Sequence, residues 1–165
     1  MTIKYNNVFI EDAYTICGNY ENDGPLSKYF DKKYEKDLYF GEKSWEQAEV
    51  HLLKEANTNI LKKNKLKEED IDLLISGDLQ NQIAASNYMA REFNIPFLGI
   101  FEACSTSGEG LAIGSTYIEG GFAKKILVST SSHNMAAEKQ FRNPTEYGTP
   151  KPKTATFTST GGVSI

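Results

Sequence analysis

The chain has 165 residues, 24% charged and 39% hydrophobic, with a formal net charge of -4. That length holds one domain with a true core, and the mix is that of an ordinary globular protein. The acidic balance speaks against nucleic-acid binding, and no apolar run approaches a membrane span. Residues 1–7 lack the apolar stretch of a signal peptide, so a cytoplasmic protein is the expectation.

Residues 8–16 read as a first strand. A polar stretch over 18–43 follows, with Asn22-Asp23-Gly24-Pro25 as a turn signal. It is long for a plain loop and points to function or subunit contacts. Ser44-Trp45-Glu46-Gln47 is a capping box that opens a helix running to about Lys63. Trp45, Ala48, Leu52, Ala56 and Ile60 recur at steps of three or four and form its buried stripe. His51 reads as surface, and Lys62-Lys63-Asn64-Lys65 as a solvated helix end where cations suit the dipole.

A strand over 71–76 leads through Gly77-Asp78-Leu79-Gln80-Asn81-Gln82 into a helix over about 82–93. Asp78 and Asn81 read as caps of that helix. Pro96 bars a helix and starts a strand to Ala103. A helix of small residues follows, from Ser105 to about Gly120. Residues 125–131 form another strand, and 154–165 alternate as a last one. The order strand-helix-strand-helix-strand-helix-strand-strand implies an α/β fold. Its sheet is mixed, with the last strand antiparallel. The final residues, Val163-Ser164-Ile165, read as mid-strand, which points to a fragment or half-domain over 1–165.

Two cysteines, Cys17 and Cys104, stand in no zinc-ligand spacing, so neither a metal nor a cofactor is expected. Cys17 reads as a buried small hydrophobe. Cys104 sits where an apolar strand meets a helix start, in Phe101-Glu102-Ala103-Cys104-Ser105-Thr106-Ser107-Gly108. Unpaired N–H groups and the helix dipole favour negative charge there. The site therefore offers a nucleophilic thiolate, an anion pocket, or a structural thiol. Gly108, Gly110, Ala112, Gly114 and Ser115 give the helix little propensity of its own. Such a helix wants a layer on each face, and two copies of the chain would supply one.

Ala103-Cys104-Ser105 and the element order resemble the thiolase-like superfamily, whose fold duplicates two such halves. The chain matches one N-terminal half. Further segments make the resemblance narrower: Gly24-Pro25-Leu26, Lys67-Glu68-Glu69-Asp70-Ile71-Asp72, Gly77-Asp78-Leu79-Gln80-Asn81-Gln82, Ser131-Ser132-His133-Asn134 and Gln140-Phe141-Arg142-Asn143-Pro144-Thr145-Glu146-Tyr147-Gly148. On these the chain is similar to the stage V sporulation AD family of spore-forming bacteria. The resemblance implies a protein that binds dipicolinic acid and supports its uptake, with calcium, into the developing spore, and the hydroxyl-rich turn Cys104-Ser105-Thr106-Ser107 reads as non-enzymatic. It also implies stage V sporulation A membrane proteins as partners, a homodimer, and a peripheral place at the forespore inner membrane.

Dipicolinate is a flat aromatic dianion, so its site needs donors for two carboxylates and an apolar face. The N–H and hydroxyl groups of Ser105 and Thr106, beside Cys104, are one donor set. Arg142 is a bidentate partner or a salt-bridging residue, and His133 a donor or a loop cap. Tyr147 or Phe141 stacks on the ring or packs locally. The alternatives are a condensing enzyme or acyltransferase with Cys104 as nucleophile and His133 as base, or a structural subunit of a membrane complex.

Overall fold

The computed structural model describes residues 2–142 and 158–165. Among them one sheet has six strands, in the spatial order β2 (Lys32–Lys33), β1 (Tyr14–Cys17), β6 (Gly161–Ser164), β5 (Ile126–Ser132), β3 (Leu73–Gly77) and β4 (Phe97–Gly99). β3 runs parallel to both β4 and β5, and β1 parallel to β2. The last strand, β6, is antiparallel to both of its neighbours, as the alternation and order implied. The helices are α1 (Asn19–Asn22), α2 (Trp45–Lys63), α3 (Ala84–Ala90), α4 (Thr106–Glu119) and α5 (Asn134–Ala137).

The period of two along the strands sorts residues onto opposite faces. Leu74 pairs with Leu127 and joins Leu53, Ile60, Leu61, Ala85 and Met89 in the core beneath α2 and α3. One residue on, Ile75 pairs with Val128 and meets Leu111 and Ile113 of α4. Each large aliphatic side chain so buried contributes about 1.5–3 kcal/mol. α2 starts where the capping box placed it, with the Gln47 N–H donating to Ser44 Oγ at 3.2 Å. Ala48, Leu52, Ala56 and Ile60 are buried, while Trp45 is only half-buried.

The glycines of α4 serve the chain's own sheet. A Cβ on Gly110 would lie 2.7 Å from Val128 Cγ1, and one on Gly114 would touch Ile126 and Val128. The opposite face, with Gly108, Ala112, Thr116 and Glu119, is exposed. Residues 5–7 run along its far end, where the Tyr5 hydroxyl donates to Ala112 O and the Asn6 and Asn7 N–H groups donate to Glu119.

Several elements are shorter than their sequence patterns. The first strand covers only 14–17 and β4 only 97–99. α3 starts at Ala84 because Gln82 and Ile83 are left-handed, with φ of 59° and 49°. The polar stretch over 18–43 holds α1, a short 3-10 turn and the two-residue strand β2. β2 is invisible to hydrophobic patterning because it is two lysines held by backbone pairing to Ile16 and Cys17.

Candidate functional site

The chain around Cys104 is bent by a 3-10 turn, Ala103–Ser105, wedged between β4 and α4. Ala103 takes a φ of 47°, a region costly for any residue with a Cβ. Gly77 permits the approach of this turn to β3. A Cβ there would lie 2.3 Å from Ile100 O and 2.5 Å from Thr106 Cγ2. Cys104 emerges exposed on the rim of a cavity of 390 Å³. Small-molecule sites occupy about 300–1,000 Å³.

The cavity opens on the half of the sheet that α4 does not cover. Thr15 and Cys17 of β1, Thr130 and Ser132 of β5, and Gly161 and Val163 of β6 share one face and line it. Asp78, Glu21, Thr106 and Ser107 complete much of the wall. Cys17 lies buried in its floor, and desolvation, followed by the nearby Glu21, pushes its thiol up to about 11. The hydroxyls of Ser107, Thr130, Thr158 and Ser159 have no hydrogen-bond partner among the described residues. Neither Arg, Lys nor His stands among the described lining residues.

The expected donor set at the helix start is largely consumed by the turn. The Ser105 N–H and hydroxyl both donate to Glu102 O, at 3.0 and 2.9 Å. The Thr106 N–H and hydroxyl donate to Ala103 O, the hydroxyl at 2.8 Å, and Thr106 Oγ1 accepts from the Glu102 N–H. The geometry leaves Cys104 and Thr106 on the cavity wall and turns the polar groups of Ser105 inward on the turn. The next N–H groups of the helix end, at Ser107 and Gly108, lie beyond that closure.

His133 stands elsewhere. It is fully buried, its Nε2–H donates to Leu38 O at 2.8 Å, and its Nδ1 accepts from the Met135 and Ala136 N–H groups. It is the N-cap of α5, and burial lowers its pKa to about 4. The structure thus selects the capping alternative and does not bring His133 to Cys104. Arg142 Nη1 pairs with Glu138 Oε1 at 2.9 Å within a π-helical turn, away from the described cavity wall. Tyr147 lies outside the described residues, and Phe141 is half-exposed beside Arg142.

The capping role read for Asp78 is borne out, whereas sequence reasoning missed the buried Glu49 near it. Asp78, buried, accepts from the Gln80 and Ser86 N–H groups at 2.8 and 2.7 Å, and so organises the entry to α3. Burial raises its pKa. Glu49 of α2 is 1% exposed, and it accepts from Gln80 Nε2 at 2.9 Å and from Ser131 Oγ at 3.0 Å. Desolvation, helped by Asp78, pushes its carboxyl up to about 8. Its signal was a second stripe on α2, in which Glu49 and Asn57 alternate with Leu53 and Leu61.

The model of the stage V sporulation protein AD family matches residues 1–165. The chain is 51% identical over 158 residues to stage V sporulation protein AD of Bacillus subtilis, covering 96% of this chain and 46% of that protein. It therefore spans about half the length of that relative. Among solved structures, 3-oxoacyl-(acyl carrier protein) synthase III of Xanthomonas oryzae superposes with a TM-score of 0.60 at 16% identity, over 97% of this chain and 55% of that one. OleA of Xanthomonas campestris, crystallised with cerulenin, gives 0.62 at 15% identity over 97% and 56%. These likenesses fix the fold as thiolase-like. A chain matched over its full length by the family model, and half identical to a curated member, belongs to the stage V sporulation protein AD family.

Proposed function

We propose that this chain forms the Cys104 side of a non-enzymatic binding site for dipicolinic acid in a sporulation protein built on a thiolase scaffold. The observation that carries the reading is the hydroxyl-lined cavity of 390 Å³ with Cys104 on its rim and no histidine on its described wall. A flat dianion finds donors there in Thr130, Ser107, Thr158 and Ser159, and an apolar contact in Phe30 and Val163. A nucleophilic cysteine needs an activating base within hydrogen-bond reach, and both ring nitrogens of His133 are spent on α5 and Leu38. In this reading the protein supports uptake of the ligand, with calcium, beside stage V sporulation A membrane proteins at the forespore inner membrane, as a homodimer.

Calorimetric titration with dipicolinate tests the proposal. The protein should bind, and Cys104→Trp, which fills the rim, should weaken binding by more than about tenfold. A folded protein that does not bind dipicolinate overturns it.

One observation favours a second reading, an acyltransferase with Cys104 as nucleophile. The thiol is exposed at the head of α4 in a fold shared with 3-oxoacyl-(acyl carrier protein) synthase III. Incubation with acyl-CoA followed by intact-mass measurement separates the two. The binding-protein reading expects no adduct, and a stable acyl thioester on Cys104 would support the enzyme.

A further inference from the structure

The cavity wall carries its free hydroxyl donors in two groups. Ser107 at the head of α4 and Thr130 on β5 form one, and Thr158 and Ser159, just before β6, form the other. None of these hydroxyls has a hydrogen-bond partner among the described residues. Each supplies one hydrogen, so each group offers two donors. Other polar groups of the wall are already engaged. The Asp78 oxygens accept from the Gln80 and Ser86 N–H groups, and the Thr15 hydroxyl donates to Asp31 Oδ2 at 2.9 Å.

The second group stands on a segment that is tied down at every polar atom of Thr160. The Thr160 N–H donates to Glu21 Oε1 at 3.1 Å, and its carbonyl accepts from the Gly18 N–H at 2.8 Å. Its hydroxyl accepts from the Asn134 N–H at 2.9 Å and donates to Asn134 Oδ1. Gly18 permits that approach, since a Cβ there would lie 2.8 Å from Thr160 Cβ. Beside this junction the Ser132 hydroxyl donates to Ser159 O at 2.8 Å. Ser132 spends its one hydrogen on that bond, so it places Ser159 and leaves donation to its neighbours. A wall held in this way loses little freedom when a ligand arrives.

The spacing of the two groups is set by β5. Thr130 and Ser132 stand two residues apart on one face of the strand, a span of about 7 Å. Thr130 belongs to the first group, and Ser132 holds the second at the other end of the span. Two donor pairs at a fixed separation match a ligand whose two carboxylates are held apart by a rigid ring.

Resting on the dipicolinate reading, we propose that Thr158 and Ser159 are specificity-determining residues that take the second carboxylate of the ligand, with Ser132 and Asn134 as their positioning residues. Ser107 and Thr130 take the first carboxylate. The cavity thereby selects a rigid diacid over a monoacid built on the same ring.

The test is calorimetric titration of the protein in its natural length with dipicolinate and with picolinate, which has the same ring and one carboxylate. The wild type should prefer the diacid by at least about tenfold, as expected for added hydrogen bonds to a charged group. Thr158→Val combined with Ser159→Ala should bring the two affinities within about threefold of each other, because either ligand then has one carboxylate held. Ser132→Ala should lower the preference several-fold, and Ser132→Thr, which keeps the hydroxyl, should restore it. A substitution that only loosens the fold weakens both ligands by the same factor and leaves the preference unchanged. Dipicolinate binding with no preference in the wild type, or a preference that survives the double substitution, would overturn the inference while leaving the site in place. No dipicolinate binding by the folded wild type would overturn both. The wild-type comparison needs no variant, so a misfolded substitution does not shield the proposal.

Discussion

One strand, β5, passes through two different environments on a single face. Val128 lies under α4, packed against Ile75 and against the space that Gly110 leaves. Thr130 and Ser132, two and four residues further along the same face, open into the cavity beside β6 and β1. The chemistry changes where α4 ends. Under the helix the sheet is apolar and closely fitted, and past its N-terminus it is hydroxyl-lined and open. The comparison teaches that the turn bearing Cys104 is the border between a closely packed apolar region and an open, hydroxyl-lined cavity.

The largest effect should come from breaking the border itself. Gly77→Ala drives a Cβ into Ile100 O and Thr106 Cγ2, and neither a backbone carbonyl nor a side chain locked in the turn can yield easily. A loss above about 3 kcal/mol is expected, read by urea unfolding. Normal stability would show that the border is soft.

Next comes the contrast within β5's two environments. Ile75→Ala, under α4, should cost about 2–5 kcal/mol, whereas Thr130→Val, in the cavity, should leave stability within about 1 kcal/mol and weaken dipicolinate binding. Equal stability losses at the two positions would erase the distinction.

The pH dependence of stability sharpens the comparison further. Glu49 is raised from 4.5 to about 8 in the folded state. Above 4.5 the unfolded chain ionises while the folded one keeps its proton, so stability should fall as pH rises toward about 8. His133 is lowered from 6.5 to about 4. Below 6.5 the unfolded chain takes a proton that the folded one refuses, so stability should fall as pH drops toward about 4. The two limbs place the optimum on the acid side of neutrality. Melting temperature against pH checks this, and Glu49→Gln should flatten the alkaline limb alone. His133→Ala should cost about 1–2 kcal/mol through the lost cap and leave Cys104 alkylation unchanged.

Much of the architecture was legible. The capping box at Ser44, the stripe on α2, the apolar strands and the small-residue helix after Cys104 each carry a local signal that the packing then uses. Their ends were less so. Residues 8–13 look strand-like but pair with no strand among the described residues, and β2 pairs without any apolar pattern. At the site, a sequence shows that Cys104 meets a helix start, but not that the turn consumes the donors of Ser105 and Thr106. Nor does it distinguish a histidine aimed at a ligand from one folded back onto Met135 and Ala136. Glu49 was hidden because a carboxylate on a helix ordinarily faces water, and only the tertiary fold brings Gln80 and Ser131 to it.

The smallest effect on the fold, and the most direct test of the site, concerns the two thiols. Cys104 is exposed on the rim, and Cys17 is buried with its thiol raised to about 11. Iodoacetamide should therefore label one cysteine of the native protein. Adding saturating dipicolinate should slow the labelling of Cys104 by more than about tenfold, because the ligand occupies the space that the reagent must enter. An unchanged rate with dipicolinate bound would place the ligand elsewhere and contradict the account.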